Sequence, residues 1–508
     1  STAEQRVADA MADVLGIERD SVGADTDFFA AGGTSLQATA LAAKLRSDDG
    51  TRLRVREIFD RPTVAALAEL VGRDEHVEQG SHSATLIPLR GSIIPIAPMQ
   101  RRLLSLARTQ PASTDYLMPF TLRLTGPLDR QTLRDTLVDL VSRHAGLRTV
   151  YPSETGGTQV GGVLVGADRA IGHLQPLGYS DDSDASALIE HLCATPIDIS
   201  AQPGMRAHLL TRISQGTTSE HILVLVIHHA AADGASLPIL IDDLATAYSE
   251  RLNGRDTFWE ASAFDYRDYA AIVTAADRRS EKEDDLAYWT SLLAGAPADC
   301  APKPTRPAQT HADAHKSSPS VAGSVSIPLD DGLRNAVIDC ARAYSTTPFT
   351  LLHTALATLL HRLGVGDDVV IGTPVANRDI PELADSPDTD LSRVVGMFVN
   401  TLALRTRLDG TEPVRDLLAR VRDDDLDALD HRDVPFDDVV AAVNPDRSVG
   451  GHPLFEVALS VHDYGADVAH GQVDLAPGLR GEIGEIGSAQ AKFGLQFTIA
   501  CLLYTSDA

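Results

Sequence analysis

A chain of 508 residues is too long for one hydrophobic core, which predicts roughly two to four domains. Its formal net charge of −27 argues against nucleic acid or a membrane surface as a partner, because both are usually negatively charged themselves. The four cysteines are scattered and form no CxxC pair, and the sequence has neither a signal peptide nor an apolar run long enough to span a bilayer. These features indicate a reducing, cytoplasmic compartment.

The chain starts with a helical unit, which we assign to residues 1–72. Val7, Met11 and Val14 recur at helical spacing and predict its first helix. A second helix is expected over about 36–46, and Pro62 suits the start of the last one. Residues 73–85 are polar and lack apolar periodicity, so they are interpreted as a linker.

From residue 86 to 508, strand-like and helix-like segments alternate in two series, about 86–264 and about 265–508, which predicts an α/β fold. The run HILVLVI, residues 221–227, is short and rich in β-branched side chains and predicts a buried strand. The chain lacks an initial methionine, and its last strand-like segment stops without a covering helix. We therefore expect a piece of a longer polypeptide that is truncated at its C-terminus.

Ser35 follows two glycines and a threonine and stands where the second predicted helix starts. A serine in this position can simply cap the helix. It can also present a hydroxyl that carries a phosphodiester, because the free N–H groups and the dipole of a helix N-terminus favour an anion. The neighbouring glycines would let a modifying enzyme approach the backbone. The residues alone leave both interpretations open.

Two adjacent histidines, His228 and His229, follow the predicted buried strand, and Asp233 and Gly234 come close behind. Successive side chains of a strand point to opposite faces, so we expect one histidine inside the protein and the other toward a binding space. Asp233 would orient the loop through a partner cation, and Gly234 would give a tight backbone passage. The alternative is a pair of ordinary core histidines.

A metal site is not predicted. Adjacent strand residues diverge, and no Cys/His pair near His228 and His229 has the spacing of zinc ligands. His311 and His315 do have a metal-like spacing, but they lie in a stretch rich in Ala, Pro and Ser that is interpreted as an exposed loop.

The segment DTDFFAAGGTSL, residues 25–36, resembles the thiolation motif of peptidyl carrier proteins of nonribosomal peptide synthetases. VREIFDRPTVAALA, residues 55–68, is similar to the family as well, so the resemblance covers almost the whole helical unit. It implies a small all-α four-helix carrier bundle in which Ser35 bears a covalent 4′-phosphopantetheine. A phosphopantetheinyl transferase would attach this group.

The stretch VIHHAAADGAS resembles the HHxxxDG motif of nonribosomal peptide synthetase condensation domains. Further blocks are similar in order, among them APMQRRLLSL, RHAGLRTVY, VGMFVNTLALR and HRDVPFDDVV, although Ala145 replaces the usual acid of the second block. The resemblance implies a V-shaped domain of two chloramphenicol-acetyltransferase-like lobes, with a tunnel between them.

The same resemblance implies roles for the site residues. His229 is expected to face the tunnel and to act as a general base or as an orienting group, whereas His228 is mostly structural. Asp233 is expected to be structural too, held by an arginine of the second lobe. The segment GTPVANRDIPEL offers Arg378, so we predict an Asp233–Arg378 salt bridge.

As a function, the resemblance implies peptide bond formation between a donor aminoacyl or peptidyl thioester on Ser35 and the amine of a downstream carrier-bound aminoacyl group. Adenylation domains upstream and downstream, and the downstream carrier, are the expected partners. A catalytically idle, condensation-like domain that recruits other enzymes is the main alternative. It is disfavoured because relatives of that type lose the histidine pair. A coenzyme A-dependent acyltransferase and a pure scaffold fit the paired motifs less well.

Overall fold

The helical unit at the start of the chain has three helices with defined bounds: α1 (Thr2–Leu15), α2 (Val55–Asp60) and α3 (Val64–Val71). The second predicted helix is helical at the positions that the structure describes, 37–38, 41–42 and 44–45. The unit has its own core, in which Val7 and Met11 of α1 pack with Phe28, Ile58 and Leu67.

The computed structural model of the protein describes residues 2–33, 37–38, 41–42, 44–45, 53–71, 93–152, 161–172, 174–213, 220–257, 259, 264–275, 279–297, 302, 323–378, 391–443, 452–462, 471–485 and 493–500.

The first α/β series follows the helical unit. Its helices are α4 (Pro98–Thr109), α5 (Arg130–Arg143), α6 (Ala167–Ile171), α7 (Asp182–Cys193) and α8 (Ser236–Leu252). Its strands are β1 (Ile93–Ile94), β2 (Leu117–Thr125), β3 (Thr149–Val150), β4 (Gly162–Leu164), β5 (Pro176–Tyr179), β6 (Met205–Arg212) and β7 (Glu220–His228).

Strand β7 is the predicted buried strand, and it lies antiparallel between β2 and β6 in a six-stranded sheet. The order of this sheet is β11-β12-β2-β7-β6-β5, where β11 is Gln472–Ala476 and β12 is Leu479–Glu485. Leu223, Leu225 and Ile227 pack in one core with α5 and α8. The alternate residues Ile222, Val224 and Val226 pack in a second core with α7. Both faces of the strand are therefore covered, which explains its unbroken apolar run.

The second series contains helices α9 (Tyr266–Ala275), α10 (Arg279–Leu293), α11 (Asp331–Ala343), α12 (Pro348–Arg362), α13 (Val414–Asp430) and α14 (Phe436–Val443). Strands β8 (Asp368–Val375), β9 (Asn400–Arg407), β10 (Val457–His462) and β13 (Leu495–Ala500) form a four-stranded sheet of order β13-β10-β8-β9.

The remaining strands, β11 (Gln472–Ala476) and β12 (Leu479–Glu485), depart from the expected division into lobes. They lie in the second series, about 265–508, which we expected to form the second lobe. However, β12 pairs with β2 in the sheet of the first series. The physical reason is edge protection, since β2 would otherwise leave a row of backbone groups unpaired. Gly126 lets the hairpin approach, because a Cβ there would lie 2.0 Å from the carbonyl oxygen of Gly478.

Within the described ranges, no helix combines the length and the apolar character that crossing a membrane requires.

Candidate active site

The histidine pair lies at the end of β7, where the strand leaves the sheet. The His228 amide donates to the Gly204 carbonyl at 2.8 Å, and the His229 amide donates to the Tyr116 carbonyl at 2.8 Å. His228 is 5% exposed, whereas His229 is half-buried. The backbone thus fixes both residues from neighbouring segments of the first lobe, and their side chains have different surroundings.

His228 is held inside the protein as a neutral ring. Its Nδ1 accepts a hydrogen bond from the Ala230 amide at 3.1 Å, which requires an unprotonated nitrogen. Burial lowers the pKa of His228 from 6.5 to about 4, because the charged form would lose its hydration. The ring therefore shapes the turn after β7.

This buried neutral histidine predicts acid sensitivity. In the unfolded chain the ring protonates near its ordinary pKa of 6.5, but in the folded chain only near 4. Stability is therefore lost as pH falls from about 6.5 to 4, by up to about 3 kcal/mol. Urea unfolding at a series of pH values should show a flatter dependence for His228→Gln than for the parent.

The exposed His191 provides the control, and His191→Gln should keep the parent's slope. His452, whose pKa burial also lowers, is present in all three proteins and cancels from the comparison. Equal slopes for His228→Gln and the parent would contradict the assignment of a buried, neutral His228.

Asp233 is fully buried and accepts four hydrogen bonds. Its Oδ1 accepts from the Ser236 amide at 3.0 Å, from the Ser236 hydroxyl at 2.7 Å and from Arg378 Nη2 at 2.8 Å. Its Oδ2 accepts from the Phe398 amide at 3.2 Å. A buried carboxylate with this set of donors fixes the loop that follows His229.

Arg378 brings the second lobe to this loop. Its Nη1 donates to the carbonyls of Leu391 at 2.8 Å and Val394 at 2.6 Å, and its guanidinium carbon lies 4.2 Å from the ring centroid of Phe398. The structure therefore places Asp233 and Arg378 together, as the pair that the sequence predicts. Through it, the histidine loop is tied to the segment 391–398.

Gly234 differs from its expected role. A Cβ at Gly234 would have no described heavy atom within 4 Å, and the residue does not lie in the left-handed region of backbone space. The prediction of a tight backbone passage is therefore wrong. Gly234 borders open space, so a side chain would fit at this position.

Gln100 and Ser236 also support the site, and the sequence did not single them out. The Nε2 of the buried Gln100 donates to the carbonyl of Ala230 at 2.7 Å, directly after His229, and to the Tyr151 hydroxyl at 2.9 Å. Ser236 bonds both Asp233 and the backbone of Gly396 across the two lobes. Gln100 lies in a block that resembles the family, but nothing in its local sequence marks a buried amide.

Ser35 and its neighbours 34 and 36 lie outside the described residues. The turn that precedes them, residues 27–33, is described. Asp27 Oδ1 accepts the amides of Phe29 and Ala30 at 2.9 Å each and so fixes the preceding turn. Gly32 has a φ of +102°, which favours glycine, and a Cβ on Gly33 would meet the Phe28 ring at 2.4 Å. Both glycines are needed for this turn, which leads into the segment that contains Ser35.

Among the described residues, no group of three or more His, Cys, Asp or Glu could hold a metal ion. His311 and His315 lie outside the described ranges.

Comparison with known proteins covers both units. Residues 5–71 match the phosphopantetheine attachment site family, and residues 91–503 match the condensation domain family. The chain is 36% identical over 503 residues to the "Probable non-canonical nonribosomal peptide synthetase (NRPS) CymA" of Salinispora arenicola, covering 98% of this chain and 6% of that protein. It is 35% identical over 505 residues to a dimodular nonribosomal peptide synthase of Bacillus subtilis, covering 98% of this chain and 20% of that protein.

Two solved structures are also similar. The X-domain from teicoplanin biosynthesis superposes with a TM-score of 0.67 at 26% identity, covering 81% of this chain and 86% of that one. The first condensation domain of the calcium-dependent antibiotic synthetase does so with a TM-score of 0.60 at 21% identity, covering 79% and 86%, which bears on the fold alone. The predicted fold, a helical carrier followed by a two-lobed chloramphenicol-acetyltransferase-like domain, is confirmed.

The chain spans a small part of its curated relatives, but the two family matches follow each other along nearly all of it. In nonribosomal peptide synthetases the first of these domains is the attachment site of covalent 4′-phosphopantetheine. The protein therefore belongs to the condensation domain family of nonribosomal peptide synthetases, with a phosphopantetheine-binding carrier domain at its N-terminal side.

Proposed function

We propose that this chain forms a peptide bond, with the carrier presenting a donor aminoacyl or peptidyl thioester and a downstream carrier supplying the acceptor amine. The observation that carries the proposal is the half-buried His229 at the end of β7, on a loop that Asp233 and Arg378 brace from the other lobe. We assign residues 1–72 to the carrier, 73–85 to the linker and 86–508 to the condensation domain.

Ser35 would hold the phosphopantetheine, whose thiol supplies the thioester that activates the donor carbonyl. The acceptor amine then forms the new C–N bond, the C–S bond breaks, and the amine loses a proton while the thiol gains one. The Nδ1 of His229 is buried, so we assign Nε2 as the nitrogen that meets the reacting amine. His229 there acts either as the base that accepts this proton or as a hydrogen-bonding group that orients the amine. Proximity in a shared site contributes to the rate in both cases.

A recruiting domain is the second candidate. The observation that favours it is the similarity to the teicoplanin X-domain, which is also known in complex with OxyB. A recruiting role needs no braced histidine loop, whereas the contacts of Asp233, Arg378 and Gln100 all converge on one. This convergence supports the catalytic proposal.

The proposed partners follow from the same assignment. A phosphopantetheinyl transferase modifies Ser35, an upstream adenylation domain loads the carrier, and downstream adenylation and carrier domains supply the acceptor. We place this chemistry in the cytoplasm.

Loading of the carrier is the first expected result. With aminoacyl coenzyme A and a phosphopantetheinyl transferase, intact-protein mass spectrometry should show a loaded parent and an unloaded Ser35→Ala protein, because only Ser35 offers the hydroxyl of the motif. Ser21→Ala is the matched control, since Ser21 is an exposed serine of the same unit, and it should load like the parent. Loading of Ser35→Ala would contradict the assignment.

The loaded protein is then given a soluble aminoacyl thioester as acceptor. Dipeptidyl product from the parent, and none from Ser35→Ala, supports peptide bond formation. A parent that loads at Ser35 but releases no product would favour the recruiting domain.

A further inference from the structure

Helix α13 of the condensation domain has two distinct faces, one of which packs into its own lobe. Its inner face, with Leu417, Leu418 and Val421, is buried in the second lobe. Asp425 on that inner face accepts hydrogen bonds from Thr350 Oγ1 at 3.0 Å and His353 Nδ1 at 2.8 Å, both on α12. These buried bonds hold α13 rigidly and leave its other face to point outward.

The other face consists of Asp423, Leu426, Asp427 and Asp430, at positions i, i+3, i+4 and i+7 of the helix. We call these four residues the acidic face of α13. Three carboxylates surround one leucine on this face, and one of them, Asp423, also accepts a hydrogen bond from the adjacent Arg422 at its Oδ1, at 2.8 Å.

The carrier lies on this face through its helix α2. Leu426 is only 3% exposed because it packs with the core residues of the carrier, and Asp430 Oδ1 accepts the Val55 amide at 3.1 Å. Arg56 extends along the face, with Nη2 3.4 Å from Asp423 Oδ2 and Nη1 3.6 Å from Asp427 Oδ1. The carrier's cation thus meets two of the three carboxylates, and its backbone meets the third.

From these contacts we propose that the acidic face of α13 is the docking site of this chain's carrier and that Arg56 is the residue by which the face selects it. A carrier with an acid at this position would meet Asp423 and Asp427 with like charge, so the face discriminates between carriers by electrostatic repulsion as well as by attraction.

The composition of the contact also makes the docking reversible. The arginine and both of its carboxylate partners are partly exposed, and exposed ion pairs are weak and screened by salt. One leucine is a small apolar anchor. A carrier that has to receive its acyl group elsewhere and return needs such a weak contact. The idea that this docking site delivers the donor acyl group to the reaction rests on the proposed function. The docking of the carrier on the acidic face of α13 does not depend on that function.

The test is a charge swap in the full-length chain. Arg56→Asp should release the carrier and make amide exchange at Val55 roughly tenfold faster, because the Asp430 bond opens with the contact. The triple variant Arg56→Asp, Asp423→Arg, Asp427→Arg should return exchange to within about twofold of the parent. Arg61→Asp is the matched control, since Arg61 pairs with Glu69 inside the carrier, and it should exchange like the parent.

Unchanged exchange in Arg56→Asp, or a triple variant that stays released, would overturn the docking proposal. Small-angle scattering provides an independent measurement, because release should increase the radius of gyration of Arg56→Asp relative to Arg61→Asp. Higher salt should bring the parent toward the released state.

The functional measurement separates the dock from the reaction. If the dock delivers the donor, product formation falls in Arg56→Asp and recovers in the triple variant, while loading of Ser35 stays unchanged in both. Full product formation by a released carrier would overturn delivery through this face. A parent protein that makes no product would refute the proposed function. The docking of the carrier would then be judged by amide exchange at Val55 alone.

Discussion

His229→Ala is expected to lower dipeptide formation by roughly two to four orders of magnitude, the range that a positioned acid–base group contributes. Ser35 should still be loaded in this variant, because the carrier has a hydrophobic core of its own. The bonds of the His229 backbone, His228, Gln100 and Asp233 remain in this variant, so they should still hold the histidine loop. The measurement is single-turnover product formation from loaded protein.

A second substitution separates the two roles that the geometry leaves for His229. Glutamine can donate and accept hydrogen bonds but cannot accept a proton near neutral pH. If the ring acts as the base, His229→Gln should be as slow as His229→Ala. If the ring orients the amine, His229→Gln should retain a substantial part of the parent's rate.

The control for both variants is His191→Ala, which removes an exposed histidine of α7 and should leave the rate unchanged. A parent-like rate in His229→Ala, with loading intact, would refute any chemical role of this histidine.

The sequence was most informative where the determinants are local. The unbroken apolar run of β7 and the alternation of side chains along a strand were sufficient to anticipate that one of the two adjacent histidines is buried and the other more exposed. The family resemblance was needed to name His229 as the more exposed one. The resemblance of the surrounding blocks pointed to Arg378 as the partner of Asp233, although 145 residues separate the two in the chain.

The sequence did not predict contacts that depend on packing between residues far apart in the chain. Gln100 reaches the carbonyl of Ala230 across 130 residues, and no local pattern distinguishes a buried amide from a solvated one. The β11–β12 hairpin joins the sheet of the first lobe because the edge of β2 needs a partner, which is a property of the folded sheet. The acids of α13 likewise fit a solvated helix face, and only the position of the carrier shows what they contact.

Replacing Arg378 with alanine is expected to have the largest effect on stability. The substitution leaves Asp233 as a fully buried carboxylate whose cationic partner is missing, and removing one member of a buried pair typically costs about 3–5 kcal/mol. The carbonyls of Leu391 and Val394 would also lose their donor. Urea unfolding should show this loss, and product formation should fall as well, because the same loop carries His229.

A compensating variant tests whether charge is the cause. Asp233→Asn in the Arg378→Ala background removes the uncompensated charge and keeps the oxygen that accepts from Ser236, but its NH2 group cannot accept from the Phe398 amide, so it should recover only part of the lost stability. Arg255→Ala is the matched control, since this exposed arginine pairs with Glu250 at the surface, and it should unfold like the parent.

Full stability and full product formation in Arg378→Ala would show that the pair does not hold the loop. A double variant no more stable than Arg378→Ala would trace the loss to the carbonyls of Leu391 and Val394 instead of to the charge on Asp233. Recovery in the double variant without recovery of product would mean that the cation itself, and not only a folded loop, is needed to set the position of His229. Arg378 would then be a positioning residue for the reaction, acting across the two lobes.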